Sequence, residues 1–182
     1  MVNYEFTEQE KQELITYGIE RCKVSILFTL FVLLMGAICG VFSAGIIFWS
    51  TFCFMRQYAG GYHADTQKRC NIISSITIVL LFIGMRYITI SMPVIMVLQM
   101  GTYVIIMALS PVENQNRELD RAERKIFRIK ARIIATLVML VSGTLCLLEI
   151  REVVLPLGMA NVILAISLVA GVIKNNIVRY KE

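Results

Sequence analysis

Residues 24–55 read VSILFTLFVLLMGAICGVFSAGIIFWSTFCFM, from Val24 to Met55, without one Lys, Arg, Asp or Glu. A single helix over these 32 residues would be about 48 Å long, against a hydrocarbon core of about 30 Å. The stretch is therefore expected to fold as a helical hairpin, turning near Gly40–Gly45. The same character recurs along the chain. Between Asn71 and Pro111 only Arg86 is charged, and apolar runs 133–148 and 153–173 follow. The 182 residues are 57% apolar and 17% charged, with a mean hydropathy of +0.70. Soluble domains carry about a quarter charged residues. This composition excludes an ordinary soluble globule and a disordered chain. The runs are apolar all round rather than alternating, which argues against a β-barrel. The expected class is all-α, a polytopic helical membrane protein in one integral membrane domain.

The polar segments between the runs set the order of spans. Residues 56–70 hold three Lys/Arg, residues 111–132 hold seven, and the tail 174–182 holds three, while the connectors at 86–92 and 149–152 hold one each. The Lys/Arg bias places the richer segments, both termini included, on the cytoplasmic side. Two spans then separate each basic segment from the next, in 24–55, 71–110 and 133–173. About six transmembrane helices result, the alternative being five with the N-terminus outside. The segment 111–132 is expected as a basic cytoplasmic loop. The net charge of +5 is accounted for by this bias, and no aromatic-basic platform points to nucleic acid.

Residues 1–23 contain five glutamates and no apolar core of seven or more, which does not fit a signal peptide. They are expected to form an amphipathic interfacial helix. Thr7 and Glu10 fit a capping box, and Leu14, Ile15, Gly18, Ile19 and Cys22 share a face. Gly36 and Gly40 form a GxxxG continued by Ala44. That spacing serves packing inside the hairpin, with a homodimer face as the other use. The five cysteines are odd in number, scattered and free of CxxC pairs, so they are not a disulfide framework.

The chemistry is expected in residues 56–70, which read RQYAGGYHADTQKRC. His63 is the single histidine of the chain, and Cys70 follows seven residues later, where the next run begins. An imidazole that takes a thiol proton is the minimum for a thiolate nucleophile. On an unbroken helix the two side chains would sit about 10 Å apart along the axis. The intervening chain must therefore bend, and Gly60-Gly61 supply backbone freedom just before His63. Asp65 is close enough in sequence to orient His63, although a solvated loop acid is the plainer reading. One His, one Cys and one Asp are too few for a zinc site, and no metal or cofactor is expected.

The block Arg56-x-x-Ala59-Gly60-Gly61-Tyr62-His63-Ala64, with Cys70 beyond it, resembles the accessory gene regulator protein B family. So do the layout of spans and Ser110-Pro111-Val112-Glu113-Asn114. The resemblance implies a cysteine endopeptidase of the bacterial cell membrane, with His63 and Cys70 catalytic and Arg56, Gly60 and Gly61 supporting. The implied partner is a short pro-peptide, cleaved on its C-terminal side through a thioester acyl-enzyme. A cyclic thiolactone or lactone quorum-sensing signal follows. The competing reading is a non-enzymatic peptide exporter in the same membrane. Exporters mark their path with ionisable residues inside spans, and Arg86 is the one candidate here.

Overall fold

The computed structural model describes residues 7–62, 64, 66–113 and 120–179; the side chains of residues 10, 11, 14, 17, 21, 178 and 179 also lie outside that description. The described residues form six helices: α1 (Glu8–Ile38), α2 (Phe42–Ala59), α3 (Gln67–Tyr87), α4 (Met92–Leu109), α5 (Arg121–Leu147) and α6 (Arg151–Arg179). Five of them, all but α2, are long and apolar enough to cross a membrane. The chain is a multi-pass helical membrane protein. α2 falls short because its last turns carry Arg56, Gln57 and Tyr58.

The hairpin of residues 24–55 is present. Its turn is at Cys39–Val41, where Gly40 takes φ +69° and the Val41 amide donates to the Gly36 carbonyl at 2.8 Å. Gly40 therefore lies beyond the end of α1 and belongs to no GxxxG ridge. Gly36 does pack: a Cβ there would lie 3.5 Å from Phe82 of α3 and from the backbone of Phe42.

Two segments fold differently from expectation. The interfacial helix expected over 1–23 is not separate, because α1 runs unbroken from Glu8 into the first span. Nothing in 8–38 interrupts it: there is no proline, and Gly18 has open space around it. Ile15 and Ile19 on its apolar face are exposed. The loop expected over 111–132 is helical from Arg121 onward. Asp120 starts it as half of a capping box, accepting from the Arg121 amide at 2.6 Å while Glu123 reaches back to the Asp120 amide. The charges of 121–132 are carried on the first turns of α5.

α6 is the axis of the bundle. Of its apolar window 56% is buried, against 11–22% for the other four spans. Small residues make this approach possible. Ala160 and Ala165 are buried, and a Cβ on Gly158 would come within 3.2 Å of the Gln99 amide on α4. Two core clusters result. One joins Met55, Ala59, Ile106, Ala131, Leu164 and Leu168. The other joins Val32, Phe48, Ile78, Phe82 and Ala160. The outer faces expose Leu27, Leu30, Leu80, Val97 and Leu140, as suits helices solvated by lipid. Gln99, Ser142 and Asn161 are buried polar residues on α4, α5 and α6, inside the spans.

The ends of the bundle differ. At one end Ala59, Tyr62, Val112, Ser167 and Asn175 are joined by hydrogen bonds, including Asn175 Nδ2 to the Glu113 carbonyl at 2.9 Å. The described parts of the three basic segments thus gather at this end. Gly40 and Arg86 approach each other at the other: a Cβ on Gly40 would lie 3.9 Å from the Arg86 guanidinium carbon.

Candidate active site

The chain leaves α2 at Ala59 through two glycines with positive φ, Gly60 at +74° and Gly61 at +132°. Side chains disfavour both conformations. Space forbids them as well. A Cβ on Gly60 would overlap the Val112 carbonyl oxygen, and one on Gly61 would lie 2.5 Å from Ser167 Oγ. Gly60 and Val112 form a single parallel bridge, with the Val112 amide donating to the Ala59 carbonyl at 2.9 Å. The Ser110-Pro111 segment that ends α4 therefore serves as a wall for this turn. Gly171 of α6 supplies the third side, since a Cβ there would press on Gly61 and the Tyr62 amide at 3.0 Å.

Arg56 locks the turn in place. Its Nη1 donates to Ser167 Oγ at 2.6 Å and its Nη2 to the Tyr62 carbonyl at 2.6 Å. The Tyr62 amide in turn donates to Ser167, to its carbonyl at 2.8 Å and its Oγ at 3.1 Å. The guanidinium also lies 5.6 Å from the Phe52 ring centroid. Both prongs of the arginine fork are thus engaged within the chain, one on α6 and one on the residue that precedes His63. Arg56 is a positioning residue for the turn rather than a solvated anchor at the membrane edge.

Cys70 sits in the first turn of α3. Thr66 caps this helix, accepting from the Arg69 amide at 3.3 Å, and the Cys70 amide donates to the Thr66 carbonyl at 3.1 Å. Cys70 is half-buried and lines a cavity of about 300 Å³ with Arg56, Tyr62 and Ser167. All five cysteines are free thiols. Arg56, Gly60, Gly61 and Cys70 are therefore brought together at one end of the bundle. His63 and Asp65 lie outside the described residues. Gly60, Gly61, Tyr62, Ala64 and Thr66 around them are not helical, so no straight helix separates His63 from Cys70.

The whole arrangement can be compared with known proteins. Residues 1–175 match the family model described as AgrB: Accessory gene regulator B. The chain belongs to the accessory gene regulator B family. It is 28% identical over 131 residues to "Putative AgrB-like protein 2" of Clostridium perfringens (strain 13 / Type A), covering 68% of this chain and 60% of that protein. The chain thus matches less than two thirds of that relative's length. No solved structure matches it.

In this AgrB-family chain the residue that sequence reasoning missed is Ser167. It sits in the apolar run 153–173, 111 positions from Arg56. A hydroxyl in a run whose other polar side chain is Asn161 was the one available signal. Val112, which shapes the turn through its backbone, was marked only as part of Ser110-Pro111-Val112-Glu113-Asn114, and Gly171, which acts by close approach, carried no signal of its own.

Proposed function

We propose that this AgrB-family protein is a cysteine endopeptidase of the bacterial cell membrane that cleaves a short pro-peptide and passes the acyl group to the peptide's own side chain. His63 takes the Cys70 proton, and the thiolate attacks the scissile carbonyl. The C–N bond breaks, the imidazolium protonates the leaving amine, and the N-terminal piece stays as a thioester on Cys70. A cysteine or serine of that piece then gives its proton to the neutral imidazole and attacks the thioester. The Cys70 thiolate leaves, and a thiolactone or lactone ring closes. Exchange between thioesters is nearly isoenergetic whereas hydrolysis runs downhill, so the ring forms only where water is kept out.

The observation that carries this reading is the placement of Cys70 on a largely apolar cavity, beside a turn fixed by Arg56 and Ser167 immediately before His63. The exporter reading gains nothing from Arg86, which is exposed at the last turn of α3. The test is co-expression with a candidate pro-peptide. The parent should yield a shortened product one water lighter than the linear fragment, and Cys70→Ser should yield none. An unchanged pro-peptide with the parent chain would sink the enzyme reading.

The sidedness is testable separately. In a variant without the native cysteines, a membrane-impermeant thiol reagent applied to intact cells should not label Gln67→Cys or Asn116→Cys. It should label Glu149→Cys. Labelling of the first two would overturn the cytoplasmic placement of the basic end.

A further inference from the structure

The first turns of α5 carry six basic residues, and the helix sorts them. Arg121, Lys125, Arg128 and Arg132 are spaced by four, three and four residues. At about 100° per residue they fall within about 60° of one another. All four are exposed. Ile126, Ile129 and Ile133 form a second exposed stripe directly beside them, while Ala131 and Ala135 mark the buried face. The other two bases are engaged within the protein. Arg124 donates from Nη2 to Glu113 at 2.8 Å, and Lys130 lies 5.1 Å from the Tyr58 ring centroid. Arg132 donates from Nη2 to the Met107 carbonyl at 3.1 Å. That carbonyl has no helical donor of its own, since Pro111 stands four residues on. Among the described residues no acid pairs with Arg121, Lys125 or Arg128. The depth of the stripe follows from length. Counting back from Leu148, the about 20 residues that cross a hydrocarbon core end at Ile129. Arg128 therefore lies at the headgroup boundary, with Lys125 one turn outside it and Arg132 one turn inside, where a long side chain reaches back to the boundary. The stripe also faces away from the thiol. Phe127 and Lys130, which meet Tyr58 of α2, project from nearly the opposite side of α5. No residue of α5 lines the Cys70 cavity.

We propose that Lys125, Arg128 and Arg132, with Ile129 and Ile133 beside them, form a headgroup site for one anionic phospholipid of the surrounding leaflet. The phosphodiester sits against the two guanidiniums, whose planar forks match phosphate oxygens. Lys125 adds a point charge at the outer edge, and an acyl chain runs along the isoleucines into the bilayer. A zwitterionic lipid brings the same phosphate together with a choline cation, which three clustered bases disfavour. An acidic peptide matches the charges but leaves the isoleucine stripe to lipid, and one seated on Cys70 lies on another side of the bundle from these bases. Occupancy has a structural consequence. It ties the start of α5 to the end of α4, where Arg132 holds Met107 a few residues before the Val112 wall of the glycine turn. The site is independent of the thiol chemistry proposed above.

The test uses the full chain in nanodiscs made from equal parts of dioleoylphosphatidylglycerol and dioleoylphosphatidylcholine, which differ in the headgroup alone. Native mass spectrometry of the released protein reads the ratio of the two retained lipids. The parent should retain phosphatidylglycerol preferentially. Lys125→Gln and Arg128→Gln touch no partner among the described residues, so the fold is expected to survive them. Each should lower the ratio about 5-fold, and the double variant should lose most of the preference. Lys68→Gln removes the same charge from α3 at the same end of the bundle and should leave the ratio unchanged. Replacing phosphatidylcholine by phosphatidylglycerol should also raise the unfolding temperature of the parent more than that of the double variant. A parent without preference overturns the proposal. A fall with Lys68→Gln as large as that with Arg128→Gln overturns it too, since the attraction is then spread over the whole basic end. A double variant that keeps its lipid preference while KM for the pro-peptide rises assigns the stripe to the peptide and likewise overturns it. The lipid ratio is read without turnover, so absence of pro-peptide cleavage removes the peptidase reading alone.

Discussion

His63→Ala should reduce pro-peptide cleavage by on the order of 10²–10⁴-fold, the usual worth of a positioned general base, while membrane insertion stays unchanged. Replacing Cys22, Cys39, Cys53 and Cys146 together should leave most of the activity. The asymmetry follows from supply. The chain has a single histidine, and seven residues separate it from Cys70. Cys70 shares its cavity with the turn that leads into that histidine. Cys146 lies in the last turn of α5, at the end of the bundle away from the basic segments, and Cys39 is in the α1–α2 turn. A second readout isolates the base from the rest of the machinery. In the chain whose one cysteine is Cys70, His63→Gln should slow alkylation by iodoacetamide at neutral pH, because the thiol loses the group that takes its proton. If alkylation and cleavage both match the parent, His63 is not the base. If alkylation matches but cleavage is lost, the pair forms when the peptide binds, and repeating alkylation with pro-peptide present should then reveal the difference.

Much of the fold was legible because lipid leaves few options. Charge-free runs of the right length have to be helices that satisfy their own backbone. The 32 residues from Val24 to Met55 are too long for one crossing, so the hairpin followed from arithmetic. The segment 111–132 was harder. Its eleven charged residues look like a solvated loop, yet Asp120 and Glu123 have the spacing of a capping box, and the helix they start runs on into the span. Charge density outweighed a local signal that was present. The described part of 1–23, from Glu8 onward, merges with the first span for a related reason. Its amphipathic pattern suggests a separate element, but nothing in the sequence from Glu8 onward breaks the helix. At the site, Gly60-Gly61 were legible as a bend because positive φ has a residue signature. Their partners were not. Val112 contributes through its backbone, which any residue supplies, and Ser167 contributes a hydroxyl whose partner is 111 positions away. Long-range hydrogen bonds between spans leave no periodicity to read.

That pairing yields the second large expectation. Gly60→Val should lower cleavage about as far as His63→Gln does, although Gly60 carries no chemistry. A β-branched residue at φ +74° is strained, and its Cβ would overlap the Val112 carbonyl. The turn must then move off Val112, and a shift of about 1 Å in a catalytic group can cost 10²-fold. Arg56→Lys should act through the same turn by another route. An ammonium cannot hold Ser167 Oγ and the Tyr62 carbonyl together in the geometry of the fork. Ser167→Ala removes the other end of that contact, and its cost should be smaller, about 10-fold, since the Tyr62 amide keeps the Ser167 carbonyl at 2.8 Å. If these residues work only by placing the turn before His63, their effects on Cys70 alkylation should vanish in a His63→Gln background. A double-mutant cycle between Arg56→Lys and Ser167→Ala should also be strongly non-additive. Gly60→Val that cleaves normally would show that the turn is not held for catalysis. Arg56→Lys that still slows alkylation after His63 is gone would place the guanidinium in direct action on the sulfur, which its position on the same cavity as Cys70 permits. The His63→Gln background thus decides whether Arg56 serves the histidine or the thiol.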